Sequence, residues 1–320
     1  MRNAVALLAL AAGCTGAFAQ GYPSKPIHLV VGFAPGGAAD IIARTMSDPL
    51  ARALGQGIIV ENKPGAGSSV AAELVAKASP DGYTIMIASQ SGMIVNPLIN
   101  KNVGYNTARD FAAITQVTSS PLVVAVNPSL KVASISELIA QAKKAPGKLN
   151  YATSGNGSLP HLAATLFSAI AGVQMVHVPY KSGGQSVQSV LAGDTQVTFA
   201  TAPSVIPLVQ SGRLRGIAVT TRARSPLVAG LPGMEEAGLA GYNLSIWYGF
   251  FAPAGTSREV VTRLFKGTIQ ALGDANLKQV LARDGTETSG SSSPEAFAAF
   301  LRDEAEVTAR VIRESGAKFD

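Results

Sequence analysis

From Ile27 onward, short apolar runs alternate with longer stretches whose apolar residues recur every three or four positions. The runs "IHLVVGF" (27–33), "GIIV" (57–60), "YTIMIA" (83–88) and "PLVVAV" (121–126) predict buried strands. Between them, "SSVAAELVAKA" (68–78) and "SISELIAQAKKA" (134–145) predict helices. The second is bounded by Ser134, three residues before Glu137, and by Gly147 just past its end. The alternation continues through "LNYAT", "VQMVHVPY", "TQVTFAT" and "LRGIAVT". It then reaches "SIWYGFFAP" (245–253) and three helical stretches, the last from about Pro294 to Ser315.

Strands alternating with helices imply an α/β protein with parallel sheets covered on both faces. The strands are too many for one small sheet, so the pattern predicts two lobes with crossings near Pro121 and Ser245. On this reading residues 20–121 begin the first lobe, residues 122–244 form the second, and residues 245–320 return to the first. Ligands in such folds bind beyond the carboxyl ends of strands, and a cleft between lobes is a favoured place.

Residues 1–19 are set apart from the fold. "MRN", the apolar stretch "AVALLALAA" and the small-x-small "AFA" (17–19) predict a cleaved secretory segment ending before Gln20. Cys14 is the only cysteine and lies inside it. Lipid attachment there is not the expectation, because Ala11 occupies the position where a leucine is usual. The mature chain would then use neither disulfides nor thiol chemistry. Hydrophobic residues make up 47% and charged residues 14% of the chain, which excludes disorder. The net charge is +6, one unit less without Arg2. The basic residues are dispersed and not interleaved with aromatics, which argues against nucleic acid.

Catalytic patterns are missing. "SQSGM" has Ser89 where a nucleophile elbow needs glycine. His28, His161 and His177 lack metal-ligand spacing, so no metal is expected. Neither "GFAPGG" nor "SGNGSLP" completes a dinucleotide fingerprint, and no Walker lysine follows a glycine loop, so no cofactor is expected. What remains is four turns rich in Gly, Ser and Thr, each at the end of a predicted strand. They are "APGGAAD" (34–40), "ASQSGM" (88–93), "ATSGNGSLPH" (152–161) and "ATAPS" (200–204). Together they offer backbone amides and small hydroxyls rather than catalytic charges. In the first, Pro35, Gly36 and Gly37 separate a strand from a helix expected near Ala38, where bare backbone and a helix start make a candidate anion site. Asp40 would sit in the first helical turn and tie down the loop.

The same residues resemble a known family. "YPSKPIHLVVGFAPGGAADIIAR", "VENKPGAGSSVAAELVAKASPDGYTIM", "YATSGNGSLPHLAATLF", "VPYKSGG", "GRLRGIAVT" and "FFAPAGT" are similar, in order and spacing, to the tripartite tricarboxylate transporter receptors called the Bug family. The resemblance covers essentially the whole mature chain. It implies a hinged, two-lobed periplasmic binding protein fold of type II-like form, with the ligand in the inter-lobe cleft. It further implies a periplasmic monomer that captures a small organic carboxylate and delivers it to a permease of one large and one small subunit. Carried over by motif, Phe33, Pro35, Gly36, Gly37 and Ala38 would face the turn from Thr153 through Ser154 and Gly157 to Ser158. Such loops hold a carboxylate through amides, hydroxyls and water, without a salt bridge.

Asp40, Ser89, Gln90, Ser91, His161, Tyr180, Thr201 and Ala202, on or beside the same turns, complete the expected contacts. Many relatives have acidic residues around the positions of Gln196 and Ala200, and their absence here disfavours an amino-acid ligand. Tyr180, Trp247 and Tyr248 could pack on an aromatic acid or serve core or hinge packing. Two other functions are compatible with the sequence. One is a ligand-sensing receptor for a membrane sensor kinase. The other is a secreted serine hydrolase acting through Ser91 or Ser158.

Overall fold

A computed structural model describes residues 21–315 and Phe319. The expected export segment and Cys14 lie outside the described residues. Among these residues ten strands form one hydrogen-bonded sheet. They are β1 (Ile27–Val31), β2 (Ile58–Asn62), β3 (Thr84–Ser89), β4 (Phe111–Val126) and β5 (Asn150–Thr153), followed by β6 (Val176–Pro179), β7 (Val197–Thr201), β8 (Arg215–Val219), β9 (Ser245–Pro253) and β10 (Glu287–Thr288). The helices in the first part are α1 (Ala38–Leu54), α2 (Ser69–Ala76), α3 (Asn96–Ile99), α4 (Thr107–Asp110) and α5 (Ile135–Lys144). Then come α6 (Leu159–Ala171), α7 (Gly183–Ala192), α8 (Ala202–Gln210), α9 (Arg258–Leu272), α10 (Ala275–Arg283) and α11 (Pro294–Ser315). Among the described residues no helix is long and apolar enough to cross a membrane.

The strand order is β2-β1-β3-β9-β4-β7-β5-β6, with β8 and β10 also pairing β4. Two parallel groups, β2-β1-β3 and β7-β5-β6, carry the strand–helix alternation read in the sequence. Between them β9 and β4 run antiparallel to their neighbours, so the sheet is mixed rather than parallel throughout. Both strands carry the chain from one half of the molecule to the other, in opposite senses, and that fixes their antiparallel pairing.

Strand β4 begins at Phe111, well before the apolar run at Pro121. Its first part pairs with β9 as far as Pro121 opposite Ser245, and Leu122 to Val126 pair with β7. The polar residues of "FAAITQVTSS" conceal a strand whose ladder is interrupted by bulges near Thr115 and Thr118. Pro121 stands where the ladder changes partner, a place that tolerates a missing N–H.

Both faces of the sheet are covered. Ile27, Leu29 and Val31 of β1 pack with Ile42, Met46 and Leu50 of α1 on one side. On the other side Val30 and Met86 join Ala71 and Val75 of α2, with Trp247, Phe251 and Phe297. A third cluster, with Val123, Ala152, Val187 and Val205, fills the half built on β5 to β8. Each large apolar side chain so buried contributes about 1.5–3 kcal/mol. Continuous apolar runs follow from this two-sided burial. The carboxyl ends of β1, β3, β5 and β7 converge on one place between the two parallel groups.

Candidate functional site

The Pro-Gly-Gly turn after β1 uses its glycines differently. Gly36 has φ +81 and open space where a Cβ would stand, so its role is conformational. Gly37 has φ −85, which any residue adopts, but a Cβ there would lie 3.3 Å from Ser182 Cβ. Its small size serves close approach between the two halves. Other contacts confirm that the halves are closed on each other. The Ala34 N–H donates to the Lys181 carbonyl at 3.1 Å, and the Leu159 N–H donates to Ser91 Oγ at 2.8 Å. A Cβ on Gly184 would lie 2.6 Å from the Gly36 carbonyl oxygen, and one on Gly67 2.5 Å from that of Asn156.

Between the closed halves remains a cavity of about 20 Å³, room for about one water molecule. Its walls are Phe33, Gly37, Ala38 and Ala39 from one loop, and Ser91 from the turn after β3. Ser154, Pro160, Gly183 and Thr201 close the other side, and Ile246 and Tyr248 come from β9. Among the described residues no Lys, Arg, Asp or Glu lines it.

Four helices begin at this cavity, and their unpaired N–H groups are the available donors. The start of α1 has no side-chain cap, and its first internal bond is from the Ile41 N–H to the Gly37 carbonyl. That leaves the N–H groups of Ala38, Ala39 and Asp40 uncommitted. The start of α8 at Thr201 also lacks a side-chain cap. By contrast α6 has none to offer. The Leu159 N–H is bound to Ser91, residue 160 is proline, and the His161 N–H donates to Ser158 Oγ. At α7 the Ser182 hydroxyl accepts from the Gln185 N–H, leaving Gly183 and Gly184 at the front. Each helix start carries about half a positive charge. An anion here gains from these ends and from the hydroxyls of Ser154, Thr201 and Tyr248.

The structure divides the expected contacts into four groups. Phe33, Gly37, Ala38, Ser91, Ser154 and Thr201 are on the cavity wall. Pro35, Gly36 and Tyr180 instead line an outer cleft with Gly184 and Gln185. Gly157 and His161 line a third recess with Asn96 and Phe319.

Asp40, Ser89, Gln90, Thr153, Ser158 and Ala202 are buried behind these surfaces. Asp40 accepts from the Gly36 N–H at 3.0 Å and from Arg44 Nε and Asn62 Nδ2, both at 2.9 Å. Three donors hold its carboxylate, which ties the first loop to α1 and β2. Thr153 Oγ1 accepts from the Gly155 N–H and pairs with His177 Nε2 at 2.6 Å. His177 stacks on His161 with centroids 4.0 Å apart. Burial, and then the neighbouring His161, lower the His177 pKa to about 3, so it is neutral here.

Pattern reading missed Gly183, Pro160, Ile246 and Ala39 as wall residues and left Tyr248 among packing aromatics. Alternation along β9 separates its two aromatics, because Trp247 faces Phe297 on the far side of the sheet while Tyr248 faces the cavity. The position of Gln196 proves uninformative about the ligand. It precedes β7 at the end away from Thr201, where its side chain accepts from the Asn150 N–H and donates to the Gly193 carbonyl. The absence of acid from the cavity is read instead from its walls.

The chain is similar to known proteins over nearly its whole length. A family model described as the tripartite tricarboxylate transporter family receptor matches residues 42–317. Protein BugT of Bordetella pertussis is 33% identical over 301 residues, covering 94% of this chain and 92% of BugT. The structure of the periplasmic binding protein BugD superposes with a TM-score of 0.89 at 30% identity, covering 93% of this chain and 99% of that one. The R. palustris protein Rpa4515, solved with adipate, gives 0.88 at 33% identity, covering 92% and 98%.

Proposed function

The chain belongs to the tripartite tricarboxylate transporter receptor family, and on that premise we propose that its cleft, opened and closed again around the solute, holds a small organic carboxylate between the uncapped starts of α1 and α8. It is a solute-binding receptor of the periplasmic binding protein fold, not an enzyme. The captured solute passes to a membrane permease with a large and a small subunit. The receptor works as a monomer in the periplasm after loss of residues 1–19. Residues 20–121 and 245–320 move as one lobe and residues 122–244 as the other. The hinges are at Pro121, where β4 changes partner, and at Ser245 opposite it.

One observation carries this reading: a cavity walled by helix starts and hydroxyls, with no charged side chain on it. Oriented amides and helix ends stabilise an anion without a buried cation. The hydrolase alternative loses its nucleophiles on the same geometry. Ser91 Oγ is engaged by the Leu159 N–H, and the Ser158 hydroxyl caps α6 while donating to the Gly155 carbonyl at 2.7 Å. Since about one water fits in the closed cavity, solute enters an open form and closure follows.

Thermal denaturation with a panel of carboxylates tests the reading. A ligand at about 100 times its dissociation constant adds about 2.7 kcal/mol. Small-angle scattering with that ligand should show contraction relative to the free protein. No stabilisation by any carboxylate, or turnover of an activated ester above background, would overturn it.

A further inference from the structure

Tyr248 is 3% exposed, and its hydroxyl has no hydrogen-bond partner among the described residues. Buried phenol groups ordinarily find one. Its neighbour across the ladder, Ser89 on β3, also has a buried hydroxyl without a partner. The ring of Tyr248 packs in the main core, with Ile246 and Phe250 of its own strand, and its remaining surface is on the cavity wall. Burial raises its pKa far above the usual phenol value, so the oxygen keeps its proton and can donate. Phe33, Ala39, Pro160 and Ile246 make part of the wall apolar, while Ser91, Ser154 and Thr201 bring further hydroxyls to it. Ser91 Oγ accepts from the Leu159 N–H and Thr201 Oγ1 pairs with Ser204 Oγ, so a ligand whose carboxylate rests at the start of α1 meets in Tyr248 a neutral donor that is still unpaired.

The same wall bears on what the ligand cannot carry. An ammonium group closed into this space would be desolvated with no carboxylate against it. Asp40 is the buried acid next to the first loop, and its oxygens are already taken by Gly36, Arg44 and Asn62.

We propose that Tyr248 is a specificity-determining residue of the cleft: its hydroxyl donates to a second oxygen group of the ligand, and that ligand is a carboxylate without an ammonium group. The inference rests on the carboxylate-capture reading and narrows it. Hydroxy acids, keto acids and dicarboxylates satisfy it, and α-amino acids do not. Phenylalanine at this position would keep the ring and its packing while removing that donor. A site built to hydrogen-bond an oxygen discriminates against analogues that lack it, because the buried donor is then left unpaired.

Calorimetric titration of the mature protein and of Tyr248→Phe tests this. The probes are malate, succinate, glutarate and adipate, the amino acids aspartate and glutamate, and the monocarboxylates butyrate, pentanoate and hexanoate. The wild type should bind at least one of the first group. It should bind that ligand at least about tenfold more tightly than either amino acid or the monocarboxylate of equal chain length. In Tyr248→Phe the preference over the monocarboxylate should collapse, with the loss falling on the oxygen-bearing ligand and little change for the monocarboxylate. The ligand-free melting temperature, expected to be unchanged or higher, verifies the fold. Equal loss for both ligand types, or no loss for either, overturns the assignment of Tyr248. Tight binding of aspartate or glutamate overturns the exclusion of ammonium. If no carboxylate binds the wild type, the carboxylate-capture reading itself fails, and this assignment fails with it.

Discussion

The starts of α1 and α6 lie on opposite walls of one cavity and dispose of their N–H groups differently. At α1 no side chain caps the helix, and Asp40 reaches back to the Gly36 N–H instead of covering the front. At α6 Ser158 caps from within, Ser91 caps from across the cleft, and Pro160 removes the remaining donor. Both turns look alike in sequence, each a glycine-rich link from strand to helix. One leaves its donors free for a ligand. The other uses them for its own fold and for closing the two halves. On the proposed function the first loop with α8 is the expected anion contact, and the turn from Thr153 to His161 the expected support of closure.

The largest effect should come from Gly37→Val. The backbone at Gly37 accommodates valine, but the side chain would meet Ser182 and cover the α1 amides. Carboxylate affinity by calorimetry should fall at least about 100-fold, a loss of about 2.7 kcal/mol, with the ligand-free melting temperature little changed. If the variant instead unfolds while its folded fraction binds normally, the glycine serves the turn alone.

Ser91→Ala comes next. It leaves the Leu159 N–H without an acceptor only when the halves are closed, so affinity should weaken about tenfold at unchanged ligand-free stability. Equal destabilisation of the free protein would remove the distinction between closure and folding.

A pH series probes the second turn. His177 is neutral in the fold because burial lowers its pKa to about 3, whereas the unfolded chain takes up a proton below about pH 6.5. The unfolded state therefore binds the extra proton, and this group costs stability progressively as pH falls from about 6.5 towards 3. Above that window its contribution is level. Melting temperatures recorded across the window should fall less steeply in His177→Gln than in the wild type. Parallel curves would show that this histidine is not the titrating element.

Ser158→Ala should cost the fold about 1 kcal/mol, the usual worth of a helix cap. Carboxylate affinity should stay within about threefold, since α6 lends the ligand no amide. A large loss of affinity from this cap alone would place the anion at α6 after all. The smallest effect is expected from Lys181→Ala. Its backbone carbonyl, not its charge, bonds the first loop, and affinity should again stay within about threefold. Abolition of binding by loss of that one cation would break the amide-based account.

Much of this architecture is legible in the sequence. The strand "SIWYGFFAP" is β9 residue for residue, and α1 starts at Ala38 as the turn chemistry implies. The four Gly, Ser and Thr turns do follow β1, β3, β5 and β7. Local rules suffice for such features, because an apolar run buried on both faces, a proline or a glycine acts within a few residues of itself. They failed for the first part of β4, whose polar positions gain meaning only when β9 and β10 pair beside it.

The site needed the tertiary structure for a different reason. Gly37 and Gly36 are indistinguishable in sequence, and only the approach of Ser182, in sequence far away, gives them separate roles. Trp247 and Tyr248 are adjacent aromatics that the pleat sends to opposite faces, one to the core and one to the cavity. Which helix starts remain free depends on caps supplied across the cleft, as Ser91 supplies Leu159. The sequence alone determined which residue types stand at the carboxyl ends of the strands. Their division into cavity-wall residues, contacts between the halves and supports was decided by packing between distant segments, because burial and hydrogen-bond partnership are properties of neighbours in space.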